Sequence, residues 1–119
     1  MTRTELGSHL TELRQLLDRR APGVIVHLSQ VKSDRPTVIV HLIQVPPTQR
    51  GYGMGQRVLE LICQTADARG WTLGLSPVSD LGSDLPRLVR WYMDAGFVPS
   101  REVAKQTMVR RALEYASVA

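Results

Sequence analysis

Three glycines, Gly51, Gly53 and Gly55, stand at alternate positions in "VPPTQRGYGMGQRVLELI", Val45 to Ile62, directly after Arg50 and ahead of a helical pattern. Residues so placed let an anion reach the backbone. The first turn of a helix carries unpaired N–H groups and the positive end of the helix dipole, and glycine removes the side chains that would hold a phosphate away. Two phosphate patterns fail on spacing. A P-loop needs G-x-x-x-x-G-K-[ST], but the residues that follow Gly51 after four intervening positions are Gln56, Arg57 and Val58. A dinucleotide fingerprint needs G-x-G-x-x-G, and its last position is Gln56 counted from Gly51 and Val58 counted from Gly53. The acidic residue such a site uses at the end of the next strand is replaced by Gly74, Leu75 and Ser76. The pattern that fits is R/Q-x-x-G-x-G/A, met by Arg50, Gly53 and Gly55.

The elements that must hold this turn are legible from periodicity. Leu6, Leu10, Leu13 and Leu17 recur at helical spacing, Thr2 with Glu5 offers a capping box, and "APG" at Ala21 to Gly23 stops the helix. Two β-rich runs follow, Val24 to Val31 and Thr37 to Val45, separated by "KSDRP", and they read as an antiparallel hairpin. The second run is almost continuously apolar, as in a central strand buried on both faces. If the hairpin pairs Val31 with Thr37 without interruption, His27 faces His41. A helix from about Gly53 to a C-cap at Gly70 comes next, then a strand over Trp71 to Val78. Asp84 caps a third helix that runs to about Ala95 and ends at Gly96. Two last strands cover Phe97 to about Pro99 and Thr107 to Ala112. The order is helix, two strands, helix, strand, helix, two strands.

The 119 residues suffice for one domain with a single core, 1–119. A hydrophobic fraction of 43% and a charged fraction of 22% are those of a globular protein rather than a disordered one. No apolar run approaches the roughly 18 to 20 residues of a membrane span. The N-terminus has early charges and no apolar h-region, so the expectation is a cytoplasmic protein without a signal peptide. The lone Cys63 has no partner for a disulfide or a C-x-x-C metal site, and no metal is expected. The formal charge of +4 attracts anions, and thirteen of the fifteen basic residues are Arg, whose planar fork suits phosphate oxygens. The basic residues are scattered and only six aromatics are available for base stacking, which disfavours a nucleic-acid partner relative to a phosphorylated cofactor.

With its neighbours, the glycine turn resembles the GNAT superfamily of acyl-CoA-dependent N-acetyltransferases. "VPPTQRGYGMGQRVLELI" is similar to the family's V-x-P-x-x-R-G-x-G-x-G-x-x-L-L segment, and "LVRWYMDAGFV" to its L-Y-x-x-x-G-F segment, with a strand between them. The resemblance covers about 24–112. It is weaker over the N-terminal helix, because the family domain opens with a strand and two helices. The fold it implies is α/β, a mixed and largely antiparallel sheet splayed in the middle, with helices on both faces and an abbreviated N-terminus.

By this resemblance the cosubstrate is acetyl-CoA. Its pyrophosphate would be held by backbone amides from about Arg50 to Gln56, that is Arg50, Gly51, Tyr52, Gly53, Met54, Gly55 and Gln56. Ile43 and Val45 would meet the pantetheine arm. Pro46 and Pro47 cannot donate N–H bonds, so they force the strand out of its sheet and open a slot beside "WTLGLSPV". Tyr92, four residues before Gly96, matches the family's frequent general-acid tyrosine. It would protonate a departing thiolate whose conjugate acid has a pKa of about 8.5. The attacking amine must be neutral, and His41, then His27, are candidate bases or relays; Glu60 is less attractive in mid-helix, and Asp80, Asp84 and Glu102 are other candidate carboxylates around the acceptor groove. The family often carries an Asn where this chain has Leu85. The acceptor is a small-molecule or protein amine: an aminoglycoside-like compound, a lysine, an N-terminus or a nucleobase all satisfy the chemistry. Two rivals stand beside the enzyme: a non-catalytic acyl-CoA-binding or interaction module, as part of a homodimer, and a basic nucleic-acid-binding protein.

Overall fold

The structure, a computed structural model, describes residues 2–78 and 84–113. Helix α1 (Arg3–Arg20) starts as expected: Thr2 Oγ1 accepts from the Glu5 amide at 3.1 Å and donates to Glu5 Oε1 at 3.2 Å. Its Leu6, Leu10, Leu13 and Leu17 form one buried stripe. Strands β1 (Ile25–Val31) and β2 (Thr37–Gln44) make the antiparallel hairpin. Helix α2 (Met54–Arg69) ends at Gly70, which has φ +73 and lets the Trp71 amide reach Ala66 O at 2.8 Å. Strand β3 (Thr72–Leu75), helix α3 (Leu85–Asp94) and strands β4 (Val98–Pro99) and β5 (Met108–Arg110) follow among the described residues.

The five strands lie in the order β1-β2-β3-β5-β4. Among the described residues only β2 and β3 run parallel and the other three pairings are antiparallel, so the sheet is mixed and largely antiparallel, as expected. The crossover that parallel pairing demands is α2. Val38, Val40, Leu73, Leu75 and Met108 face a helical layer and join the leucines of α1 and Val58, Leu59, Ile62 and Ala66 of α2 in one core.

Arg69 of α2 reaches Glu12 and His9 of α1, and Trp91 of α3 donates to Gln56 of α2, so α2 is bonded to both other helices beside the core face of the sheet. On the opposite face, a Cβ on Gly74 would meet Val103 and Gln106, so that face is covered there by the β4–β5 connection. Glycine at 74 is what lets the connection lie so close: Val103 Cγ1 would be 2.9 Å from that Cβ.

One strut escapes sequence reasoning. Arg110 on β5 points into the helical layer, where NH1 and NH2 grip both carboxylate oxygens of Asp67 at 2.8 and 2.9 Å, and Nε donates to Ala95 O at 2.7 Å. These bonds tie β5 to α2 and to the end of α3. The Arg110 guanidinium, with the Leu113 amide, holds the Asp67 carboxyl below its ordinary value. A depressed acid contributes stability above its unfolded pKa, about 3.9, and that stability is lost as pH falls through the folded value. Asp67→Asn is therefore expected to cost about 3 kcal/mol at neutral pH by leaving Arg110 buried without its counter-charge. The variant should also lose part of the acid-induced destabilisation below roughly pH 4. Urea unfolding at neutral and acid pH measures both; equal stability of variant and parent at neutral pH would show the pair to be structurally idle.

Candidate functional site

The parallel pairing of β2 and β3 is short. It runs from Thr37↔Thr72 to Ile39↔Gly74 and stops, although β2 continues to Gln44 and β3 to Leu75. Beyond that point β2 keeps β1 on one side and, among the described residues, has no strand on the other, so the sheet splays. The expected slot is present: a cleft of about 750 Å³ lined by β2 from Val40 through Gln44, by Val45 and Arg50, by Leu75, Ser76, Pro77 and Val78, and by Leu88 and Tyr92 of α3. Pro46, at φ −56 and ψ 146, carries the chain off the end of β2 into a short 3-10 turn, Pro47–Gln49.

At the mouth of this cleft lies the glycine turn. Gly51 and Gly53 have φ +88 and +74, the left-handed region that favours glycine, and a Cβ at either position would meet nothing within 4 Å. Approach to their backbone is thus open. The turn is anchored on both sides: Arg50 Nε donates to Val45 O at 3.1 Å, and the Gln49 side chain packs on Gly23 at the start of the hairpin. A Cβ on Gly55 would lie 3.6 Å from Val45 Cγ2, so the first turn of α2 packs directly on the end of β2.

The three helices begin differently, and the difference bears on chemistry. Thr2 caps α1 and Asp84 caps α3 with side-chain oxygens; α2 begins at Gly53 with no side-chain cap and no acidic residue in its first turn. Its first intrahelical bond is Arg57 N to Gly53 O at 3.0 Å. The amides of Met54, Gly55 and Gln56 are therefore left for an outside acceptor. The Arg50 amide is engaged with Pro47 O at 3.4 Å, so the open donors start at Gly51 rather than at Arg50. Tyr52 sits in the turn with its side chain 80% exposed and Met54 packs on the core. The Gln56 side chain is committed elsewhere, accepting from Trp91 Nε1 at 2.6 Å and donating to Glu60 at 3.0 Å.

Tyr92 reaches the cleft from α3. Its ring packs edge-on against Phe97, with centroids 5.7 Å apart, and at 4.9 Å from Trp91. Both contacts belong to the aromatic body; no partner of its hydroxyl occurs among the described residues. Burial pushes the Tyr92 phenol above its ordinary value. It is a neutral donor held at the wall of a cleft.

The histidines depart from expectation. Pairing starts at Val31↔Thr37 and holds to Leu28↔Val40, but a β-bulge then intervenes and His27 pairs with Leu42. His27 does not face His41, and it lies outside the residues that line the cleft. The extra residue in β2 is His41 itself, which lines the cleft and bonds through Nε2 to Ser29 Oγ at 2.7 Å. The bulge also shifts the alternation of the strand, so that Ile43 and Val45 still pack on the helical layer.

The carboxylates are accounted for in other ways. Glu60 is exposed on α2 and bonded to Gln56, Asp84 caps α3 through the Arg87 amide, and Glu102 pairs with Arg111; Asp80 lies outside the described residues. Leu85, where the family often has Asn, is 39% exposed at the start of α3. Cys63 is buried in α2 and its thiol is pushed up mainly by that burial, which makes it a poor nucleophile. The site that emerges brings Ile43, Val45, Arg50, His41 and Tyr92 to one cleft, with the open amides of Gly51 to Gln56 beside it.

No protein-family model and no curated protein matches the sequence. Among solved structures, the chain is similar to Ard1 from Thermoplasma volcanium, at 18% identity and a TM-score of 0.49, over 87% of this chain and 80% of that one. It is also similar to Arabidopsis thaliana Naa50 in complex with the bisubstrate analogue CoA-Ac-MVNAL, at 14% identity and a TM-score of 0.47. That likeness spans 72% of this chain and 60% of the Naa50 chain.

Proposed function

We propose that this chain is an acetyl-CoA-dependent N-acetyltransferase of the GNAT type, and that the splayed cleft between β2 and β3 is its active site. The observation that carries the reading is a conjunction: the sheet opens where β2 loses its pairing with β3, and the mouth of that opening is a helix start left without a side-chain cap and flanked by left-handed glycines. Open amides with the positive end of a helix dipole suit a pyrophosphate, and a cleft of about 750 Å³ beside them has room for a pantetheine arm. The residues fit that group, because no Cβ stands over Gly51 or Gly53 and the protein leaves open space there.

Acetyl-CoA would supply an acyl thioester whose carbonyl carbon an amine can attack. The amides of Gly51 to Gln56 would take the pyrophosphate, and β2 from Ile43 to Val45 would offer its unpaired edge to the arm. Tyr92 would hold, at its phenol oxygen, the proton that the departing sulfur takes up; its burial keeps that proton in place at neutral pH. His41, on the bulge of β2, would accept the proton shed by the amine. The attack is direct, since Cys63, the one thiol in the chain, is buried in α2.

The test is incubation of the protein with acetyl-CoA and a panel of amines, with thioester cleavage and the mass of the acetylated product read together. Cleavage matched by acetylation of one amine class supports the enzyme. Tight binding of coenzyme A without turnover of any amine would replace it with an acyl-CoA-binding module.

A further inference from the structure

We propose that Ser29 is a positioning residue that fixes the ring of His41, so that Nε2–H donates to Ser29 Oγ and Nδ1 is the nitrogen offered to the cleft. This deepens, and its catalytic consequence rests on, the acetyltransferase reading. Three observations converge on it. First, the bulge places one unpaired residue in β2, and that residue is His41; bulges re-aim side chains, and this one stands where the sheet begins to splay. Second, Ser29 lies across the ladder opposite Ile39, two residues before His41 on the same strand, and its hydroxyl meets Nε2 at 2.7 Å. Third, His41 is among the residues that line the cleft, so with Nε2 committed to Ser29 only Nδ1 is left to act there.

A histidine does useful proton chemistry only in the correct tautomer and orientation; Ser29 holds the orientation, and Nδ1 is free to accept a proton only in the tautomer whose Nε2–H donates to Ser29. Serine hydroxyl can accept from Nε2–H without taking the proton, in the neutral ring and in the imidazolium alike. As the amine forms its bond to the acyl carbon, Nδ1 would take one proton from the amine nitrogen. The Nε2 proton would stay on the bond to Ser29, and the thiolate released would be protonated by Tyr92. Ser29 itself forms no bond to substrate. His27, two residues earlier on β1 and opposite Leu42, is left out of this arrangement by the same bulge.

Two readouts test the proposal. In the full-length protein, long-range proton–nitrogen correlation spectra of the histidine rings under mildly alkaline conditions, assigned with a His41→Gln variant, should show His41 as a single tautomer protonated at Nε2. Ser29→Ala should give averaged nitrogen signals from mixed tautomers, and Ser29→Thr should restore the single form. A ring protonated at Nδ1 in the parent, or spectra unchanged in Ser29→Ala, would overturn the proposal. In turnover with acetyl-CoA and the amine found active, Ser29→Ala should lower kcat about tenfold, part of the 10²–10⁴ that a positioned proton acceptor supplies. The KM for acetyl-CoA should be unchanged, and Ser29→Thr should recover most of the loss. An equal loss in both variants would mark Ser29 as merely structural. If no amine is acetylated, the enzyme reading fails while the ring spectra still decide whether Ser29 fixes His41.

Discussion

Gly53→Val is expected to weaken coenzyme A binding at least a hundredfold, about 2.7 kcal/mol. Gly53 holds φ +74 at the start of α2, and the space over it is open, so a valine would meet no protein atom at its Cβ and would stand instead over the amides that follow. The left-handed backbone adds strain of about 1–2 kcal/mol, which must be separated from the loss of the cradle. Gly70 supplies the control. It caps the other end of the same helix with φ +73, and a Cβ there also meets nothing within 4 Å. Gly70→Val carries comparable strain at a distance from the proposed site, so it should lower stability while leaving the affinity within about twofold. Calorimetric titration of both variants with coenzyme A measures the contrast. Equal affinity in Gly53→Val and the parent would remove the glycine turn from the site.

Tyr92→Phe is expected to lower kcat by about 10²-fold or more and to leave the affinity for acetyl-CoA unchanged. The packing of the ring is kept, because its contacts with Phe97 and Trp91 involve the aromatic body, and the hydroxyl has no protein partner to lose among the described residues. Thermal stability should therefore be close to that of the parent, which separates a chemical defect from a folding one. The pH dependence follows from burial. Because the phenol is held above its ordinary value of about 10, its proton is retained through the neutral and mildly alkaline range and lost only as pH rises past the elevated value. A fall in turnover between roughly pH 7 and 9 must then come from some other group and should persist in any residual activity of Tyr92→Phe. Unchanged kcat in the variant would take the general-acid role from Tyr92.

Much of this arrangement is legible in the sequence because its signals are local. The Thr2–Glu5 capping box, the leucine stripe of α1, the prolines that end β2 and the alternate glycines before α2 each act within a few residues, and each occurs where expected. The slot is where expected but not for the expected reason, because β2 and β3 part after Ile39↔Gly74, several residues ahead of Pro46. The bulge at His41 has no such signal. "TVIVHLIQV" is apolar at nearly every position, so it lacks the period-2 alternation that would reveal a change of register, and uninterrupted pairing set His27 opposite His41. The grip of Arg110 on Asp67 joins residues 43 apart, and the two adjacent arginines in "TMVRRA" give no hint of which one turns inward or which partner it finds. The bonds of α2 to the other two helices, Arg69 with Glu12 and Trp91 with Gln56, join residues similarly far apart.

The most direct measurement is a titration of coenzyme A into isotopically labelled protein, followed through the backbone amide signals. The expected result is saturable shifts concentrated at Gly51, Tyr52, Gly53, Met54, Gly55 and Gln56, continuing along β2 through Ile43 and Val45 to the wall at Tyr92. Absence of saturable shifts, or shifts confined to another surface such as the groove between α1 and α2 around His9 and Arg69, would contradict the assignment of the cleft.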